Sequence, residues 1–117
     1  MVGPNAQIAV YIMASGRNGT LYTGVTSQLL QRVGRHKDGK FGGFSGKYGC
    51  TRLVWFERHE FMVSAIRREK QVKRWLRRYK LALIEDLNPD WRDLSDGWFD
   101  GLPGQDFGRT VIGKPLP

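Results

Sequence analysis

The chain has 117 residues and a formal net charge of +8, with an isoelectric point of about 10.1. That length suits one domain with a single modest core, and the charge favours a polyanionic partner, nucleic acid or an acidic membrane surface. No run of about 18 apolar residues is present, so no membrane span is expected. Met1 to Asn5 lacks the charged start and apolar stretch of a signal peptide. Cys50 is the lone cysteine, which excludes an internal disulfide and a cysteine zinc site and fits a reducing, cytoplasmic setting. With only His36 and His59 besides, a transition-metal cage is not expected.

Taken in order, residues 1–7 read as an N-terminal extension. Ile8 to Met13 is apolar and β-branched, as in a buried strand. Ser15 to Gly19 carries Asn-Gly turn chemistry, and Thr20 to Val25 is a second strand, so residues 8–25 form a hairpin. Thr26 or Ser27 caps a helix running through Lys37, with Leu29, Leu30 and Val33 as its apolar face. Residues 38–49 are a Gly-rich basic loop, and Arg52 to Glu57 is a third strand. A long helix is predicted over Met62 to Tyr79, with Ala65, Glu69, Val72, Leu76, Tyr79 and Leu83 on one stripe, then a shorter helix over Leu81 to Leu87. Asn88-Pro89 reads as a cap and first position of a further helix, with Trp91 and Leu94 facing the core. The domain spans 8–96. Residues 97–117 are rich in Gly and Pro and read as a dispensable tail. The class is α+β, a small antiparallel three-stranded sheet flanked by helices.

Five residues carry candidate chemistry. In a hairpin closed by an even-numbered loop, Tyr11 and Tyr22 point to one face, either as a pair that orients water or as a packed aromatic pair. Arg32 and His36 are one helical turn apart. Arg32 suits a phosphate fork or a snorkelling side chain, and His36 a proton carrier or a cation near the helix C-terminus. Glu69 is a carboxylate on an apolar stripe, costly unless paired or metal-bound. Its alternative partner is Lys73, at i+4, in a pair worth about 0.2–0.5 kcal/mol.

Ala9-Val10-Tyr11 and Tyr22-Thr23-Gly24, ten residues from Tyr22 to Arg32, four more to His36, and a distant helical glutamate together resemble the GIY-YIG nuclease family over residues 9–94. The resemblance implies a metal-dependent endonuclease acting on DNA. One tyrosine would be the general base, Arg32 the phosphate ligand, His36 the residue that orients the nucleophile or shares its proton, and Glu69 the ligand of one Mg²⁺, with Mn²⁺ as substitute. Ala9 replaces the first family glycine. An asparagine that many members carry a dozen residues after the glutamate is missing, and Lys80 is near that place. The alternative is a binding module that kept the fold without turnover. Lys37, Lys40, Lys47, Arg67, Arg68, Lys70, Lys73, Arg74 and Lys80 are the candidate nucleic-acid contacts, with Phe41, Phe44 and Tyr48 interleaved in the loop. DNA is the expected partner, RNA stays open, targeting is left to the core, the tail or a protein partner, and no membrane is involved.

Overall fold

The computed structural model describes residues 7–39 and 43–100, the side chains of 43–45 excepted. Residues 1–6 of the extension, Lys40, Phe41, the Phe44 side chain and residues 101–117 of the tail lie outside that description. The elements are β1 (Ala9–Ala14), β2 (Leu21–Thr26), α1 (Leu29–Lys37), α2 (Gly43–Tyr48), β3 (Arg52–Arg58), α3 (Met62–Arg74) and α4 (Arg77–Leu87). The class is α+β, and the antiparallel sheet has the order β2-β1-β3.

All six residues of β1 are buried. A central strand covered on both faces has no solvent side, which explains its unbroken apolar run. Val10, Ile12 and Ala14 pack with Ala65 and Val72 of α3, Ile84 of α4 and Trp91. Ala9, Tyr11 and Met13 pack on the opposite face with Leu29, Leu30 and Val33 of α1, Leu53 and Trp98. A register shift between Ile12 and Met13 interrupts the β1–β3 ladder.

The hairpin forms where its Asn-Gly pair predicts. Ser15 donates its N–H to the Thr20 carbonyl, and Asn18 takes the left-handed conformation at φ 57° that asparagine tolerates. The Arg77 guanidinium donates to the carbonyls of Asn18 (2.9 Å) and Gly19 (2.7 Å), tying the turn to the start of α4. The α1 start differs from expectation. Gln28 is its N-cap and makes no side-chain capping bond. Instead the Gln7 side-chain carbonyl accepts from the Leu30 N–H at 2.9 Å, while Thr26 accepts from Gln28. Gln7 therefore serves the domain rather than an extension. The segment expected as a loop holds the short helix α2.

The long helix breaks five residues earlier than predicted. Trp75 and Leu76 adopt extended conformations (ψ 148° and 150°) between α3 and α4. Neither glycine nor proline causes the break. Trp75 packs against the core beside Val72, with the Arg68 guanidinium 5.3 Å from its ring centroid, and tertiary packing overrides helix propensity. The stripe ends there. Leu76 and Tyr79, expected in the core, are exposed, while Leu81, Leu83 and Ile84 turn inward.

Asn88 ends α4 rather than opening another helix. Its amide donates to the carbonyls of Val54 (3.0 Å) and Arg92 (2.9 Å), and its side-chain oxygen accepts from the Arg92 N–H. Trp91, buried as expected, holds φ at +56°. That conformation is strained for a bulky residue, and it is held by an indole bond to Glu85 and an Arg52 bond to its carbonyl. Leu94 then donates to the Leu53 carbonyl at 2.7 Å, and Asp93 accepts from the Leu53 N–H. The outer edge of β3 is thereby occupied at Leu53 and Val54.

Trp98 is 2% exposed and meets Phe56 edge-on at 6.0 Å between centroids, in the same cluster as Tyr11. Phe99 packs against that cluster too. A tail beginning at Gly97 would leave both outside the core, so the packed chain extends past that boundary. Glycine-rich composition concealed these anchors. Trp98→Ala should lower stability by about 3–5 kcal/mol, as for other buried aromatics truncated to alanine. Urea denaturation measures this, and a loss below about 1 kcal/mol would return Trp98 to the tail.

Candidate active site

Tyr11 stands directly opposite Gly24, and Tyr22 opposite Met13, in the β1–β2 ladder. Both tyrosines therefore project from the face that α1 covers. A Cβ on Gly24 would lie 2.6 Å from the Tyr11 hydroxyl oxygen and 2.7 Å from Cζ. The Tyr11 ring thus lies across the glycine, and any side chain there would collide with it. The last residue of the second tripeptide is glycine for this space.

Leu29, Leu30 and Val33 bury one face of α1, which places His36 at its last turn within the same layer. Its Nε2 is 2.8 Å from the Tyr11 hydroxyl. The three rings form a triangle, with centroids 6.2 Å apart for Tyr11–Tyr22, 5.5 Å for Tyr11–His36 and 5.1 Å for Tyr22–His36. Arg32, one turn before His36, is a hydrogen-bonding neighbour of the Tyr11 phenol, as is Tyr22.

The electrostatics follow from this enclosure. Burial, and then the Tyr22 phenol beside it, push the Tyr11 pKa well above the ordinary tyrosine value. The Arg32 cation pulls the other way with less effect. Burial, then the Arg32 and Arg35 charges, push His36 down to about 4. At neutral pH the pair is a phenol and a neutral imidazole. His36 is therefore not the helix-end cation that the sequence left as an alternative.

Glu69 comes from α3, where it lies on the buried stripe between Ala65 and Val72. Its carboxylate is nearly buried and meets Lys73 at 2.6 Å. The structure thus brings Tyr11, Tyr22, Arg32 and His36 together and places Glu69 on α3 with the i+4 partner foreseen for it.

The candidate nucleic-acid contacts divide likewise. Lys37 is held by the Thr51 carbonyl and the Asp93 carboxylate, which itself falls below the usual carboxylate pKa through its bonds to Lys37 and Ser95, against the opposing effect of burial. Arg68 donates to Glu57 at 3.1 Å. Lys73 is on Glu69, and Lys47 lies 5.5 Å from the Tyr48 ring. Lys80 is half-buried, its pKa lowered by burial and by Lys73 and Arg77. Arg67, Lys70 and Arg74 are exposed on the outer side of α3. Among the residues sequence reasoning left without a role, Gly24 had one signal, its place beside Tyr22. Arg77 had none, because it binds backbone carbonyls.

A small antiparallel sheet with paired strand tyrosines, an Arg–His turn on the first helix and a glutamate on the third defines a nuclease-type fold. The family model of the GIY-YIG catalytic domain matches residues 7–82, and the chain belongs to that family. It is 29% identical over 114 residues to a UPF0213 protein of Aeromonas salmonicida (strain A449), covering 97% of this chain and 74% of that relative. It is 32% identical over 77 residues to a UPF0213 protein of Staphylococcus aureus (strain Mu3 / ATCC 700698), covering 66% of this chain and 93% of the relative. No solved structure matches significantly. No helix among the described residues is long and apolar enough to cross a membrane.

The depressed His36 pKa has a sign that can be tested. The unfolded histidine, near 6.5, takes up a proton that the folded one refuses down to about 4. The stability that His36 confers is present above pH 6.5 and is lost as pH falls toward 4. The urea midpoint of the wild type should drop across this window more than that of His36→Asn. Parallel profiles would show that His36 is not held neutral by the fold.

Proposed function

We propose that the protein is a metal-dependent endonuclease that hydrolyses phosphodiester bonds in DNA. The observation that carries this reading is the buried Tyr11–His36 hydrogen bond, ringed by Tyr22 and Arg32, in a chain of the GIY-YIG family. In the resting state neither ring is charged. As water attacks phosphorus, its proton passes to the Tyr11 oxygen while the phenol's own proton is shared with His36 Nε2; the bond from phosphorus to the leaving oxygen breaks, and the departing alkoxide takes up a proton, so that Tyr11 and His36 end as they began. Tyr22 orients the water, and Arg32 donates to the phosphate oxygens as their charge grows.

Glu69 would hold a Mg²⁺ or Mn²⁺. Its chemistry fits, because Mg²⁺ takes one or two carboxylates and completes its shell with waters and substrate phosphates. Among the described residues no cluster of three or more His, Cys, Asp and Glu side chains offers an all-protein cage. When bound, the cation supplies positive charge to the phosphate undergoing attack. Lys73 neutralises the same carboxylate in the metal-free protein. That contact favours a second reading, a nucleic-acid-binding module without turnover in which Lys73 keeps the place.

Supercoiled plasmid incubated with Mg²⁺, with Mn²⁺ or with a chelator separates the two. Strand breaks that need metal support the nuclease; stable shifts without breaks support the module. Glu69→Gln should abolish cleavage while DNA binding changes little, and parental activity in that variant would end the metal-ligand assignment. Arg32→Ala should slow cleavage by about 10²–10³, the cost of losing one transition-state donor. Arg32→Lys should recover only part, since an ammonium cannot form the planar fork. Full recovery would reduce Arg32 to a generic cation.

A further inference from the structure

The outer side of α3 carries Arg67, Lys70, Gln71 and Arg74 at helical spacing, turned away from the buried Ala65 and Val72. With Trp75 they line an open hollow of about 580 Å³. Trp75 also lines a second hollow of about 570 Å³, together with Tyr79, Ala82, Leu83 and Asp86. The shared tryptophan makes the two neighbours on one surface. The break at 75–76 creates this surface, because it ends α3 at Arg74 and leaves Tyr79 half exposed on α4. Guanidinium groups already lie near both rings, Arg68 at 5.3 Å from Trp75 and Arg78 at 5.0 Å from Tyr79.

An occupant must therefore be anionic along one side and flat and apolar along the other. Unpaired nucleotides meet both demands, because every base has a stacking face and every phosphate a charge. Duplex DNA keeps its bases stacked on one another, and an acidic peptide offers charge without regular rings. Asp86, the one carboxylate at the surface, offers an acceptor to base amino groups.

We propose that this surface binds single-stranded DNA, with bases stacked on Trp75 and Tyr79 and phosphates on Arg67, Lys70 and Arg74. The inference rests on nucleic acid being the partner, as proposed above. It adds a contact on the α3 layer, across the sheet from Tyr11 and His36. The strand held here is then a different stretch from the one undergoing attack.

Trp55, Trp91 and Trp98 are at most 2% exposed, which leaves Trp75 as the tryptophan open to a ligand. Titrating a ten-nucleotide oligo(dT) into the full chain without metal should quench tryptophan fluorescence. In Trp75→Phe the quench should vanish while fluorescence anisotropy of a labelled oligonucleotide still reports binding. Tyr79→Ala, at an exposed position, should weaken oligo(dT) binding about tenfold, the loss of one stacked base. Arg67→Ala and Lys70→Ala should each lower the slope of log affinity on log salt by about 0.7. Anisotropy-detected binding with unchanged tryptophan emission would overturn the proposal, as would an undiminished affinity in Tyr79→Ala or equal quenching by heparin. The wild-type plasmid assay separates the two readings. Cleavage without quenching sinks this surface alone, and quenching without cleavage sinks the nuclease and leaves the surface standing.

Discussion

Tyr11 is wholly buried in the central strand, and a phenol in that position must find a partner for its hydroxyl. Left unpaired it would cost about 1–3 kcal/mol. His36 meets that demand, and much else follows from the bond. It sets how α1 lies on the sheet, because Leu29, Leu30 and Val33 must pack while His36 reaches the strand. It requires Gly24, since the ring that reaches His36 passes over that residue. It also draws Arg32 into the same enclosure, where the guanidinium lowers the basicity of the imidazole beside it. One hydrogen bond thus joins the packing of a layer to the protonation state of its polar residues.

The strands and the hairpin were legible because their signals are local: a run of β-branched and apolar residues, an Asn-Gly pair, and a loop of even length that places two tyrosines on one face. Arg32 and His36 were legible as a pair for the same reason, although only burial decided that His36 is neutral. The break after Arg74 was not legible. Nothing in Arg74-Trp75-Leu76-Arg77 stops a helix, and the apolar stripe continues through it in the sequence. What ends the helix is the place of the Trp75 ring against the core, a tertiary fact. Trp98 was missed for the opposite reason, because flanking glycines suggested a tail around an anchored indole. Asn88 was read as the start of an element, since an Asn-Pro pair looks alike at either end of a helix until its hydrogen bonds are known.

Charge counting alone misjudges this protein. Several cations that gave the chain its excess are internal ties: Lys37 to Asp93, Arg68 to Glu57, Arg77 to the hairpin turn. Surface pairs of this kind contribute little to stability, commonly below about 1 kcal/mol. Their effect is to fix which elements meet. Arg67, Lys70 and Arg74 on the outer side of α3 are among the cations left for a partner, and the polar cluster around Tyr11 lies across the sheet from them. Glu69 lies between these regions in the chain's logic, a carboxylate on the inner side of a helix whose outer side is basic.

The stretch from Asn88 to Leu94 has one more consequence. Its bonds reach Leu53 and Val54 at the start of β3, so that part of the strand presents a filled edge to any other chain. Strand addition, the step by which sheets build fibres, is blocked at that place by a buried asparagine and the two residues that follow its turn.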